Sequence, residues 1–134
     1  MATETVAAFI ARLGLTMKAE WADSNPNMDD GADMDHWRCR IRKGRRMLTI
    51  PFSMGRGHHG EPPGLATVLD CVGSDAASVE NAKGFEDWAG EFGLDTDSRK
   101  AEKTYKTCVQ QSVKLKVFLG DDEYRNLLFN TERE

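Results

Sequence analysis

Between residues 15 and 52 apolar side chains recur at every second position, and beyond residue 64 they recur at helical spacing instead. A period of two turns one face of a strand toward a core, whereas a period near 3.6 does the same for a helix. The two regimes do not interleave, so alternating βα units with a parallel sheet are excluded. The pattern predicts an α+β fold with an N-terminal helix, a small three-stranded antiparallel sheet, and then a C-terminal helical layer.

The first helix is read over residues 3–13, where Val6, Phe9, Ile10 and Leu13 share one face. Thr3 or Thr5 can cap its start, and Gly14 can close it in a left-handed conformation. Leu15, Met17, Ala19 and Trp21 then alternate with polar residues as a first strand. The stretch Asp23–Asp35 has loop composition, with Pro26, Gly31 and five aspartates. A second strand alternates His36, Arg38, Arg40 and Arg42 with Trp37, Cys39 and Ile41, and a turn at Lys43–Gly44 leads to a third strand over Arg46–Phe52. Pro51 has no amide hydrogen, so this strand ends there or lies at a sheet edge.

Past the loop Met54–Pro63, a helix carries Leu65, Val68, Leu69 and Val72 up to Gly73, and Ser74 or Ser78 can open a further short one. Phe85, Trp88, Ala89 and Phe92 define the next helix, with Trp88 and Phe92 as its expected anchors in the helical layer. A long helix over residues 97–119 presents Ala101, Thr104, Tyr105, Cys108, Ser112, Leu115 and Leu119 and stops at Gly120. Asp121 can cap a last helix carrying Tyr124, Leu127, Leu128 and Phe129, after which Thr131–Glu134 reads as a frayed tail. Nothing divides the chain, so residues 1–134 are read as one domain, with no long strand after residue 64.

Charge narrows the function. The balance of 18 Lys plus Arg against 22 Asp plus Glu gives a net charge of -4, which excludes a globally basic nucleic-acid binder but permits a local basic patch. No apolar run approaches the ~20 residues of a membrane span. The first residues lack the basic n-region of a secretory signal, and three widely spaced cysteines do not form a disulfide framework. Both features predict a cytoplasmic protein.

Two charged clusters stand out. Asp29, Asp30, Asp33 and Asp35 place four carboxylates within seven residues. Asp23-x-Asn25-x-Asn27 opens like a calcium loop, but Met28 and Met34 stand where an EF-hand needs glycine and a bidentate glutamate. The acidic cluster is therefore either a solvated turn or a contact for a basic partner. Its counterpart is Arg38, Arg40, Arg42, Lys43, Arg45 and Arg46, six cations within nine residues and mostly on one strand face. Such a stripe can follow phosphates or dock an acidic surface, and it can equally be a hydrated sheet face. No aromatic residue interleaves with the arginines, so the stacking platform of single-strand binders is missing.

Enzyme motifs are not found. The segment Gly55-Arg56-Gly57-His58-His59-Gly60 lacks the ending of a P-loop, and the adjacent histidines have no CxxC or HExxH companion. His36 with Asp33 or Asp35 is a conceivable acid–base pair, while Cys71 and Cys108 fall on helical stripes where packing is the default. No catalytic residue, metal site or cofactor is expected.

As a set, the strings DSNPNMDD, MDHWRCRI, RRMLTIPFSMGRGHHGEPP, VLDCVGSDA, ENAKGFEDWAGEFGLDTDSRKAEKTYK and FLGDDEY resemble a family of small hypothetical proteins that recurs in bacteriophage and mobile-element genomes. The resemblance spans nearly the whole chain and carries over no catalytic or binding residue. It implies an accessory protein acting in a bacterial host, of the anti-CRISPR or anti-defence kind. The expected action is stoichiometric binding of a host protein or ribonucleoprotein complex with a basic surface, contacted by the Asp29–Asp35 segment. The alternative is a nucleic-acid-associated protein that holds phosphates on the Arg38–Arg46 strand.

Overall fold

A computed structural model describes residues 4–26, 33–55 and 61–132. In chain order the elements are β1 (Glu4–Thr5), α1 (Val6–Leu13), β2 (Thr16–Pro26), β3 (Asp33–Lys43), β4 (Arg46–Gly55), α2 (Leu65–Asn81), α3 (Phe85–Glu91), α4 (Arg99–Leu119), α5 (Asp121–Phe129) and β5 (Thr131–Glu132). Strands β2, β3 and β4 form an antiparallel sheet in that order, and α1, α2, α4 and α5 share a core with one of its faces. The α+β architecture is the one that the change of period predicts.

Local chemistry sets the ends of α1. The Thr5 hydroxyl accepts the Ala8 amide at 3.0 Å, and Gly14 closes the helix at φ 65°, a region that favours glycine. The chain then enters β2. Its register pairs Met17 with Ile41, Ala19 with Cys39 and Trp21 with Trp37, so these residues share the inner face. Across the second ladder, Cys39 pairs with Ile50 and Ile41 with Leu48. Ile41, Cys39, Ile50 and Leu48 are buried against Phe9, Val68, Leu69, Leu115 and Leu127 in one core. Full burial of each large aliphatic side chain contributes about 1.5–3 kcal/mol.

The expected loop over Asp23–Asp35 is corrected. Pairing continues through Asp23↔His36 and Ser24↔Asp35 to Pro26↔Asp33, so its two arms are strand. The register shifts between Trp21 and Asp23 at a bulge, which resets the alternation. The polar sequence beyond it carries no apolar period to announce a strand. β4 also runs past Pro51 to Gly55, which the proline tolerates because β4 is an edge strand.

Several helical expectations are likewise revised. α2 continues through Gly73 and Ser74 to Asn81, so no second helix opens at Ser74 or Ser78. Burial of Val72, Gly73 and Ala76 outweighs the local cost of ~1 kcal/mol for glycine in a helix. Gly120 precedes α5 as its N-cap and Asp121 is the first helical residue, so Asp121 is not the cap. Thr131 and Glu132 are not frayed: they pair in parallel with Glu4 and Thr5. That ladder joins the chain ends described here into a second, two-stranded sheet, separate from the main one. Arg12 clamps the same junction, binding Glu4 at 2.6 Å and Glu123 at 2.9 Å.

Candidate phosphate-binding face

Because Trp37, Cys39 and Ile41 face the core, the period of two sends Arg38, Arg40 and Arg42 to the opposite face of β3. Alternate residues of a strand lie about 6.8 Å apart, so the three guanidinium stems form a row along the sheet's middle strand. The flanking positions carry no aromatic ring: Thr16, Lys18 and Glu20 stand on β2, and Met47, Thr49, Pro51 and Ser53 on β4. Arg38 and Arg42 are exposed, as are Lys18, Thr49 and Pro51.

One carboxylate opposes this row among the described outer-face positions 16–20, 38–42 and 47–53. Glu20 accepts from Arg40 at 3.0 Å and lies 3.7 Å from Lys18. Four cations around one anion leave a local excess of positive charge on a protein whose net charge is -4. Beyond Arg38, at the end of the row that Glu20 opposes, the His36 ring nitrogen Nδ1 shares a hydrogen bond with Ser53 Oγ at 2.8 Å. This contact links β3 to β4 across the outer face; the side chains of Asp33 and Asp35, the conceivable acid–base partners of His36, lie outside the described residues.

The six cations of the cluster thus divide by role. Arg38, Arg40 and Arg42 form the row, and Arg45 stands exposed in the turn. Lys43 and Arg46 have a structural task instead. Lys43 Nζ donates to the Leu119 carbonyl at 3.2 Å, and Arg46 Nη1 donates to the Val117 carbonyl at 3.3 Å. Both cations satisfy the last carbonyls of α4 and sit at the negative end of its dipole. With partners more than seventy positions away, no local signal in the sequence marks them for this role.

The acidic segment divides differently. The backbones of Asp33 and Asp35 pair in β3 with Pro26 and Ser24, while Asp29 and Asp30 lie outside the described residues. The Gly55–Gly60 segment falls there as well from Arg56 onward, with His58 and His59.

Cys39 and Cys108 offer poor nucleophiles. Cys39 is fully buried, and burial raises its thiol pKa. Cys71 is exposed rather than packed in the core, because it lies beside the buried Val68–Val72 stripe of α2 and not on it. Together with Cys108, Asp75 and Lys103 it lines a cavity of about 590 Å³ between β4, α2 and α4. Burial first, and the Asp75 carboxylate second, raise the Cys108 pKa and hold it as the neutral thiol.

Two aromatic expectations also change. Trp21 is 44% exposed, although it pairs with the buried Trp37, because it sits at the bulge on the edge strand farthest from α4. Phe92 is 54% exposed and follows the last residue of α3. Trp88 does anchor the helical layer: its indole N–H donates to Ser78 Oγ at 3.1 Å and its ring lies 5.4 Å from that of Tyr105.

Among the described residues no helix is long and apolar enough to cross a membrane. No protein-family model, curated protein or solved structure matches the chain.

Proposed function

We propose that this protein acts by binding rather than turnover, holding a nucleic-acid phosphate backbone on the outer face of its sheet. The observation that carries the reading is the row Arg38, Arg40 and Arg42, which projects from a sheet face bearing exposed side chains on all three strands. An uncovered sheet with cations at regular spacing suits a repeating anion. No aromatic side chain stands on the described outer-face positions, so recognition is of the backbone and tolerates sequence. In the bacteriophage setting that the sequence resembles, such a protein would act on host or viral nucleic acid.

Titration of a labelled oligonucleotide, followed by anisotropy at several salt concentrations, tests this. Affinity should fall steeply as salt rises, with a log–log slope of about 0.9 per phosphate contact on a duplex. The triple variant Arg38→Gln, Arg40→Gln, Arg42→Gln should bind at least about tenfold more weakly and lose part of that slope. Equal binding by wild type and variant, or none at low salt, would refute the reading.

A second reading assigns the contact to the acidic segment, as in an anti-defence inhibitor that covers a basic channel of a host complex. It is favoured by the pairing of Ser24 with Asp35 and of Pro26 with Asp33, which sets the backbones of Asp33 and Asp35 on one arm of the β2–β3 hairpin. Replacing these four by asparagine should then abolish capture of a host complex while leaving oligonucleotide binding intact.

A further inference from the structure

We infer that the free edge of β4 is a docking site for an extended, acidic and apolar segment of a partner protein, added to the sheet as a fourth strand. Strand β4 ends the order β2-β3-β4, so among the described residues its outer edge carries no neighbouring strand. A groove of about 710 Å³ runs between this edge and α4. Residues 46–49 line it consecutively, so both faces of the strand, and hence its backbone edge, open onto the groove. The opposite wall is the α4 surface formed by Val113, Lys114, Val117 and Phe118.

This surface has the composition of a contact. Leu48 and Phe118 are buried at its floor, whereas Met47, Val113 and Val117 are 49%, 56% and 71% exposed. Val113 and Val117 are one turn apart on α4 and form a continuous apolar strip facing the strand edge. Apolar side chains so concentrated beside an unpaired edge are a liability unless a partner covers them. Main-chain hydrogen bonds to an added strand would supply affinity, and the strip would receive every second side chain of that strand. Pro51 lacks an amide hydrogen and limits the addition to the part of β4 that precedes it.

Charge selects the occupant. Lys114 and Arg46 stand on opposite walls; Arg46 Nη1 is already held by the Val117 carbonyl, but no acidic residue is among the described residues that line the groove to offset either charge. A segment that alternates apolar residues with carboxylates matches both features. A second copy of the chain does not, because a twofold interface would set these cations against themselves.

The test uses the full-length protein and an acetylated heptapeptide of alternating glutamate and valine, with a lysine–valine peptide as control. Calorimetry should detect the glutamate peptide, with affinity falling as salt rises, and the lysine peptide should bind at least about tenfold more weakly. Amide resonances of residues 46–50 should move on titration. The exposed pair Val113→Asp and Val117→Asp, which leaves the buried core unaltered, should weaken the glutamate peptide at least about tenfold while circular dichroism stays unchanged. Absence of binding near about 1 mM peptide, equal affinity for the two peptides, or undiminished binding by the valine pair would overturn the proposal. Sedimentation that shows a dimer, dissociated by the same pair, would overturn it in favour of a second copy.

Discussion

The two faces of β3 are built from adjacent residues and behave as different materials. Inward, Trp37, Cys39 and Ile41 are 5%, 0% and 0% exposed and belong to the core that joins the sheet to α1, α2, α4 and α5. Outward, Arg38, Arg40 and Arg42 meet water, with Glu20 as the carboxylate that Arg40 binds. The burial that stabilises the sheet therefore lies on one face. The same strand can hold both kinds of face because alternate residues never share an environment.

The contrast between inner and outer positions should be widest around α3, where the buried Trp88 and the exposed Phe92 that follows the helix are four residues apart. Trp88→Ala removes a buried indole and should cost about 3–5 kcal/mol. Phe92→Ala, at an exposed position, should cost less than about 1 kcal/mol. Urea denaturation of both variants measures the difference, and equal costs would mean that the ring contact of Trp88 with Phe92, at 5.0 Å, carries the packing. On the sheet itself, Ile41→Ala should cost about 2–5 kcal/mol. Its neighbour Arg42→Ala should change stability by no more than about 0.5 kcal/mol.

A smaller effect tests the clamp that ties α1 to α5. The hydrogen bond from Arg12, helped by one from Asn126, holds the Glu123 carboxyl below the usual glutamate pKa. The folded state therefore binds fewer protons than the unfolded chain, whose glutamates titrate near pH ~4.3. The clamp's contribution is complete above that value and is lost as pH falls through the lower, folded pKa. Comparing denaturation midpoints at pH 7, 5, 4 and 3, roughly spanning that window, should show wild type losing more stability than Glu123→Gln. Because the clamp is partly exposed, the difference should not exceed about 1 kcal/mol. Parallel acid limbs would remove Glu123 as the titrating group.

How much of this was legible in the sequence depends on the range of the interaction. Alternation places Trp37, Cys39 and Ile41 inside and the arginine row outside, because a strand's two faces are a local property. The arms of the β2–β3 hairpin are hidden, since Ser24, Asn25 and Pro26 offer no apolar period and the bulge breaks the one before it. Periodicity names the inner side of an element but not how far the covering layer reaches. Trp21 and Phe92 therefore sit at the expected spacing yet remain exposed. Contacts between remote positions are the least visible. Lys43 on Leu119, Arg12 on Glu123 and the Tyr124 hydroxyl on Glu80 leave no mark on their neighbours in the chain. The candidate site was thus readable as a row of charges, but not which of its six cations the fold had already engaged.

The smallest expected effect separates stability from binding on the outer face most directly. Glu20 binds Arg40 at 3.0 Å, yet their side chains are 36% and 37% exposed, so water competes for both groups. Exposed pairs of this kind contribute about 0.2–1 kcal/mol in double-mutant cycles. Glu20→Gln keeps the shape and a hydrogen-bonding oxygen, so its cost should lie at the lower end of that range. Its effect on phosphate binding should have the opposite sign. Removing the carboxylate frees Arg40 and withdraws a repulsion from any anion laid along the row, so oligonucleotide affinity should rise at low salt. The gain should shrink as salt is added, because the lost charge is surface-exposed and screened within about 10 Å at 0.1 M. Anisotropy titrations of Glu20→Gln beside wild type measure it. A variant that is less stable by more than about 1 kcal/mol and binds no better would show the pair to be a structural device, and would move the outer face from function to stability.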